Sequence, residues 1–237
     1  MPYTSILNLV LLLLSWLLFF AVEKRNVFRE WLTPVLKRLR ELAIGFLFAA
    51  FLCVVSQLTL SQISGVTWSV ADGVSTGSIL SAAFYDFNSV LFEELLFRGV
   101  ILYFLIRYLG EKKGILVSAA AFGVYHWFTA GVLGNPFAML LVFSVTGLMG
   151  YALAVAFSKT RSVVLPFALH FGWNLVNHLI FSNGPNGVQL LEPSHAAELS
   201  GSYAFISFGL YLLVPLLFWL FIRSKAIRRT DNIPQGA

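Results

Sequence analysis

The sequence is poor in charged residues. Only 11% of its 237 residues are Asp, Glu, Lys or Arg, whereas charged residues make up about 25% of an average soluble domain. Hydrophobic residues reach 58% and aromatic residues 16%. Because a single domain of this length buries only roughly three quarters of its unfolded surface, a large apolar surface would face outward. The composition therefore excludes a soluble enzyme and a disordered chain, and it predicts a protein embedded in a lipid bilayer.

Cysteine is almost absent as well. The single thiol, Cys53, lies in an apolar run, which excludes a secreted disulfide scaffold and a cluster of cysteine metal ligands. The formal net charge is +5, but the basic residues are spread between apolar runs, whereas a nucleic-acid-binding surface needs them clustered on one face. We therefore expect the lipid bilayer to be a partner of this protein, and we expect no nucleic acid.

Seven predominantly apolar stretches approach the ~20 residues that cross a bilayer as one helix. They cover residues 5–22, 42–60, 82–106, 115–133, 136–157, 162–181 and 203–222. The first stretch has no basic residue before it and no small-residue cleavage site after it, so we interpret it as a retained helix and not as a signal peptide. The sequence predicts an all-α, polytopic membrane helix bundle of about seven transmembrane helices, forming a single integral membrane domain over residues 1–237.

The basic residues predict the orientation of this bundle. Fifteen of the 16 Lys and Arg residues lie in the first, third and fifth connections between the stretches and in the C-terminal tail. The second, fourth and sixth connections contain none. Since basic connections stay in the cytoplasm, we predict that the N-terminus lies outside and that the C-terminus is cytoplasmic.

The third stretch contains ionisable side chains that do not suit a lipid-facing helix. They are Asp86, Glu93, Glu94 and Arg98. Each charge at the centre of a membrane helix costs about 2.5 to 3.5 kcal/mol on insertion scales, so we expect the helix to turn these groups inward. At 100° per residue, Glu94 and Arg98 form an i, i+4 pair, whereas Glu93 points about 140° away from Arg98. We therefore predict that Arg98 neutralises Glu94 and that Glu93 faces a polar cavity.

Two later stretches carry polar groups at a similar depth. His126 lies near the middle of the fourth stretch, and His170 and Asn174 form an i, i+4 pair on one face of the sixth. At 1.5 Å per residue from the cytoplasmic ends, these residues and Glu93 lie roughly 12 to 20 Å deep. A lone histidine in a membrane helix is often only a hydrogen-bonding partner between helices. Four polar groups in one layer predict a shared hydrated cavity.

A carboxylate, two imidazoles and an amide around water have the parts that peptide hydrolysis needs. Glu93 can accept a proton from a water molecule with the help of His126, and the resulting hydroxide attacks the peptide carbonyl. His170 and Asn174 can donate hydrogen bonds to the oxygen that becomes negative. No Ser or Cys nucleophile is then required. The pattern thus indicates an endopeptidase that acts on a membrane-embedded or membrane-associated peptide or protein.

The same residues resemble the motifs of a known family. The run 93–98 (EELLFR) matches E-E-x-x-x-R, 122–126 matches F-x-x-x-H, and 170–174 matches H-x-x-x-N. These are motifs of the CAAX prenyl endopeptidase and bacteriocin-processing (CPBP) family of intramembrane glutamic proteases, in the order of that family. The resemblance covers about residues 80–182, which would be the catalytic core.

The resemblance implies a protease that uses no metal and no cofactor. Eukaryotic members of the family remove a tripeptide from prenylated proteins, and bacterial members are linked to peptide maturation and bacteriocin self-immunity. We therefore expect an integral membrane protein of a bacterial plasma membrane. The implied catalytic residues are Glu93, His126, His170 and Asn174, and the implied supporting residues are Glu94 and Arg98.

Two other functions fit part of the pattern. One is a zinc-dependent intramembrane protease with Glu93, His126 and His170 as ligands and water in the fourth position, although the sequence has no H-E-x-x-H helix. The other is a proton-coupled membrane transporter in which Asp86, Glu93 and His126 relay protons. Transporters often contain internal repeats and broken helices in corresponding halves, and this sequence shows neither clearly.

Overall fold

The computed structural model describes residues 2–129, 131–181, 187–194 and 202–230. Both ends of the predicted 1–237 domain, and residue 182 at the end of the predicted core, lie outside these ranges. The protein is 80% helical and all-α, which confirms the predicted fold class.

The described residues form nine α-helices joined by short connections. They are α1 (Pro2–Glu23), α2 (Val27–Leu32), α3 (Val35–Ser64), α4 (Thr76–Arg98), α5 (Val100–Leu109), α6 (Glu111–Tyr125), α7 (Pro136–Thr160), α8 (Val164–Val176) and α9 (Ser202–Arg223). A 3-10 turn, His126–Phe128, extends α6, and a π-helical turn, Asn177–Phe181, extends α8.

Among the described residues, five helical segments are long and apolar enough to cross a membrane. They are Tyr3–Glu23, Val35–Ser64, Pro136–Thr160, Val164–Phe181 and Tyr203–Arg223. The other two predicted spans correspond to α4 and α6. The first carries four ionisable residues, and the second is only 15 residues long. The structure therefore supports five membrane-crossing helices, and the count of seven stays a prediction.

The third predicted span is not one helix, so that prediction was wrong. Helix α4 ends at Arg98 and α5 begins at Val100, with Gly99 between them. A Cβ atom at Gly99 would lie only 2.2 Å from the carbonyl oxygen of Leu95, so glycine allows a bend that other residues would block. Consequently Arg98 occupies the last turn of α4, where a positive charge interacts favourably with the helix dipole.

The fourth predicted span is also shorter than 115–133. Helix α6 ends at Tyr125, and His126 lies at the helix end instead of near the middle of a span. The chain then turns through Gly131 and Gly134, whose φ angles of 78° and 88° suit glycine. Asn135 caps the next helix by accepting a hydrogen bond from the backbone N–H of Ala138. His126 is thereby presented from a helix end.

Helix α8 packs against α3, α4 and α7, and this central position places its polar face inside the bundle. The contact with α3 is very close, because a Cβ atom at Gly172 would lie 2.6 Å from the carbonyl oxygen of Phe46. On the neighbouring pair α6 and α7, Gly150 lets α7 approach Phe122. Small residues at helix contacts thus hold the polar helices together, as in other membrane bundles.

The described parts of the connections between α3 and α4 and between α8 and α9 contain a short ribbon. Strand β1 (Trp68–Val70) pairs antiparallel with β2 (Leu191–Pro193). The indole of Trp68 donates a hydrogen bond of 2.7 Å to Ser61 Oγ and packs edge-on against Phe181. The ribbon links the ends of α3 and α8 on the same side of the bundle.

Candidate active site

A cavity of about 540 Å³ lies between α4, α6, α7 and α8. Glu93 lines it from α4, His126 from the end of α6, and His170 and Asn174 from α8. This volume falls within the roughly 300 to 1,000 Å³ of ordinary ligand pockets. The structure therefore brings together all four residues that the sequence predicts to be catalytic.

Glu94 and Arg98 lie behind the cavity and have no exposed surface. Arg98 Nη1 donates a hydrogen bond of 2.9 Å to Glu94 Oε1, as the i, i+4 spacing predicts. The same oxygen accepts a hydrogen bond of 2.8 Å from His170 Nδ1. Glu94 thus connects α4 to α8, a contact that the spacing within one helix could not predict.

Phe122, the aromatic residue of the F-x-x-x-H motif, contacts three of the site residues. The guanidinium carbon of Arg98 lies 3.9 Å from the centre of the Phe122 ring. The ring also contacts His126 and His170 edge-on, with centroid separations of 4.5 and 6.0 Å. A buried guanidinium is attracted to the face of an aromatic ring, so Phe122 helps to fix Arg98 and both imidazoles.

The proton on the ring of His170 follows from its hydrogen bonds. Glu94 Oε1 accepts a hydrogen bond from Arg98 and lies within hydrogen-bonding distance of His170, so Nδ1 of His170 carries the donated hydrogen. Nε2 points to the other side, 3.9 Å from Glu93 Oε2 and 3.3 Å from the amide nitrogen of Asn174. In the neutral ring Nε2 accepts from Asn174. His170 can donate from Nε2 only after it gains a second proton.

His126 is oriented by the backbone of its own helix. Its Nδ1 lies 2.9 Å from the carbonyl oxygen of Phe122. Since a carbonyl oxygen only accepts hydrogen bonds, Nδ1 is the protonated nitrogen and Nε2 remains an acceptor in the neutral ring. His126 therefore has a lone pair available to hold a water molecule in the cavity.

Glu93 differs from Glu94 in its hydrogen bonding. Its Oε2 atom is buried and makes no hydrogen bond to any group in the described part of the protein. A buried carboxylate oxygen without a hydrogen-bond donor is costly. The side chain of Glu93 lines the cavity, and its Oε2 atom lies 3.9 Å from Nε2 of His170.

A second acid and imidazole pair in the cavity was not predicted. Asp86 accepts a hydrogen bond of 2.8 Å from His178 Nδ1, and both residues line the cavity. The available signal was the i, i+4, i+8 spacing of His170, Asn174 and His178, which continues one face, together with Asp86 seven residues before Glu93.

A zinc-dependent protease would need Glu93, His126 and His170 to bind the same metal ion. A zinc site needs nitrogen and oxygen ligands about 2.0 to 2.2 Å from one point. Within the ranges that the structure describes, no group of three or more His, Cys, Asp and Glu side chains is arranged to hold a metal ion.

Comparison with protein-family models gives a match to part of the sequence. Residues 75–176 match the model described as type II CAAX prenyl endopeptidase Rce1-like. This segment is Rce1-like. The match confirms the resemblance to the CPBP family, and the matched range contains all six predicted site residues. Comparison with curated proteins found no match, and comparison with solved structures found none either. At the family level, the Rce1-like segment supports a CAAX-type intramembrane endopeptidase in an integral membrane protein.

Proposed function

We propose that this protein hydrolyses a peptide bond inside the membrane with a water molecule that Glu93 activates. The observation that carries the proposal is the position of Glu93: its side chain lines a 540 Å³ cavity together with His126, His170 and Asn174. The Rce1-like segment supports peptidase activity, and the cavity has room for a peptide segment. The glutamic mechanism is the one that the resemblance to the CPBP motifs implies.

In the first step, Glu93 and His126 act on one water molecule. His126 Nε2 accepts one hydrogen bond from the water and orients it, and the carboxylate of Glu93 takes a proton from it. The oxygen of the resulting hydroxide forms a bond to the carbonyl carbon of the peptide, and the carbonyl oxygen becomes negative. Glu93 then gives its proton to the departing nitrogen as the carbon–nitrogen bond breaks. The carboxylate is regenerated, and no covalent enzyme intermediate forms.

The negative oxygen is stabilised by His170 and Asn174. When Nε2 of His170 carries a proton, it can donate a hydrogen bond to that oxygen. His170 and the amide of Asn174 then both donate to the developing charge. Each well-placed donor of this kind contributes about 3 to 4 kcal/mol to the transition state.

The membrane arrangement follows from the charge pattern. We propose seven crossings, with α4 and α6 as the additional two, an outside N-terminus and a cytoplasmic C-terminus in a bacterial plasma membrane. The polar groups of α4 face α8 and the cavity, so they are kept away from lipid. In this setting the substrate is a membrane-embedded or membrane-associated peptide, and the cellular role is peptide maturation or bacteriocin self-immunity.

The proposal is tested by the substitution Glu93→Gln, which retains the shape of the side chain and removes the base. We expect the variant to insert and fold normally but to lose cleavage. Comparing the membrane proteome of cells that contain the native protein with that of cells containing the variant should reveal an uncleaved substrate and its cleavage site. Glu30→Gln, at an exposed carboxylate on α2, is the matched control and should behave as the native protein.

Two results would redirect the assignment. Cleavage that stops after exhaustive chelation and returns with zinc would favour the metalloprotease. Proton uptake into sealed vesicles that persists in a variant without any proteolysis would favour the transporter. Cleavage at the native rate by Glu93→Gln would contradict the proposed role of Glu93.

A further inference from the structure

A second cavity lies outside the active site and shares no lining residue with it. It has a volume of about 630 Å³ and is a groove whose floor is α7 and whose walls are α6 and α9. Helix α7 packs against both of these helices. The start of α6, the end of α7 and the end of α9 meet there. The groove thus opens at the end of the bundle where the basic residues of the sequence accumulate.

The rim of the groove carries an excess of positive charge. Four basic side chains face a single carboxylate, that of Glu111; they are Lys112, Lys159, Arg223 and Arg229. Two of the four have structural roles. Lys159 donates hydrogen bonds of 2.6 and 3.2 Å to the backbone carbonyls of Ile222 and Ser224, and Arg229 pairs with Glu111 at 2.9 Å.

The other two cations are available to an anion. Among the described residues, neither Lys112 nor Arg223 forms an ion pair, and both side chains are exposed. Arg223 instead lies over the ring of Trp219, with its guanidinium carbon 4.6 Å from the ring centre. This stacking holds the guanidinium at the rim. The carboxylate of Glu111 is already occupied by Arg229 and Ser158, so it does not neutralise them.

Apolar residues lie directly below this rim on all three helices. Leu116 follows Lys112 by one helical turn, Val155 precedes Lys159 by one turn, and Trp219 precedes Arg223 by one turn. A separation of four residues corresponds to about 6 Å along the helix axis. On each of the three helices, a basic side chain at the rim is therefore followed by an apolar side chain one step deeper in the groove. A bilayer has the same order, with charged headgroups outside the acyl chains.

We propose that this groove binds one anionic phospholipid, with its phosphate at Lys112 and Arg223 and an acyl chain along Leu116, Val155 and Trp219. Charge complementarity selects the anionic headgroup, because basic pockets between helices at the cytoplasmic side of a membrane bind such headgroups. The apolar walls select a lipid over a free anion, since an acyl chain can cover Leu116, which is 59% exposed, and a soluble phosphate cannot. Trp219 is suited to the interface, where indole rings are enriched.

The lipid would link the beginning of α6 to the end of α9. Helix α6 leads to His126, so the occupied groove would fix one wall of the catalytic cavity from a distance. This inference goes beyond the proposed protease, because lipid binding is measured without any substrate or cleavage.

The test is native mass spectrometry of the purified full chain in detergent with added phosphatidylglycerol or phosphatidylcholine. We expect one tightly retained phosphatidylglycerol and no retained phosphatidylcholine. Because each basic residue near an anionic lipid changes binding roughly 5-fold, K112Q/R223Q should bind phosphatidylglycerol roughly 30-fold more weakly. The charge-retaining variant K112R/R223K should bind like the native protein, which shows that the loss does not come from misfolding.

K113Q/R228Q is the matched control, since it removes two cations from the same end of the bundle outside the groove. We expect it to retain phosphatidylglycerol within about 2-fold of the native protein, because neither side chain lines the groove. Equal loss of the lipid in both glutamine variants would overturn the proposal, since it would indicate only the general surface charge. Equal retention of phosphatidylcholine, or displacement of the lipid by inorganic phosphate or by a prenylated peptide, would overturn it as well.

Discussion

Replacing Arg98 with methionine should destabilise the protein strongly, because it leaves the carboxylate of Glu94 buried without its cation. Both side chains are completely buried, and their 2.9 Å hydrogen bond is the only ion pair that Arg98 forms with a described residue. Methionine retains most of the volume and can still contact the ring of Phe122. The substitution therefore tests the charge and not the packing.

The expected magnitude follows from the remaining contacts. Removing one partner of a buried ion pair costs about 3 to 5 kcal/mol. Glu94 keeps its 2.8 Å hydrogen bond from His170, so we expect the lower end, about 3 kcal/mol. A typical domain has only about 5 to 15 kcal/mol of net stability. The variant should therefore accumulate to a lower level in membranes and unfold at a lower temperature in detergent.

Two further variants make the test specific. Arg98→Met combined with Glu94→Gln removes both charges and should regain most of the lost stability. Glu30→Gln breaks the exposed pair of Arg25 and Glu30, whose side chains are 47% and 41% exposed, and should cost at most about 1 kcal/mol. Native abundance and native unfolding temperature of the Arg98→Met variant would refute the reasoning, and so would a double variant less stable than the single one.

Four other outcomes are expected. Asn174→Ala should lower kcat by about 10²- to 10³-fold with little change in KM, because it removes a donor to the negative oxygen; an effect confined to KM would contradict this role. His178→Ala should raise KM more than it lowers kcat, because its pair with Asp86 lies two helical turns from Glu93; a loss of kcat alone would assign His178 to the chemistry. Gly99→Ala should lower the unfolding temperature, since its Cβ would meet a backbone oxygen at 2.2 Å; an unchanged unfolding temperature would show that the bend can relax. Exhaustive chelation should leave the cleavage rate unchanged, and a loss restored by zinc would contradict the metal-free mechanism.

The local part of the site could be predicted from the sequence. The i, i+4 spacing determines which side chains share one helical face, so it predicts the pair of Glu94 and Arg98 and the pair of His170 and Asn174. The cost of charge in lipid predicts that these faces turn inward. Both arguments use only neighbours within one helix, and the structure agrees with them.

The contacts between helices could not be predicted in this way. Glu94 and His170 are 76 residues apart, and their contact depends on how closely α8 approaches α4. The helix ends at Arg98 and Tyr125 also escaped prediction, because apolar runs continue beyond both. In a membrane protein, the residues at bends and turns are often apolar too. A run of apolar residues therefore indicates a membrane-embedded region but does not show where a helix ends. Gly99 was the local signal for the first bend.

The central claim is that Glu93 and His126 act on the same water molecule, and a double-mutant cycle on kcat/KM tests it most directly. Glu93→Gln, His126→Ala and the combined variant are compared in proteoliposomes with a cleavable membrane peptide, after equal folding has been verified. General base catalysis contributes about 10²- to 10⁴-fold, and residues that act as one unit show strongly non-additive effects. We predict that the combined variant is about as slow as the slower single variant. Effects that multiply, or cleavage by Glu93→Gln at the native rate, would contradict the account.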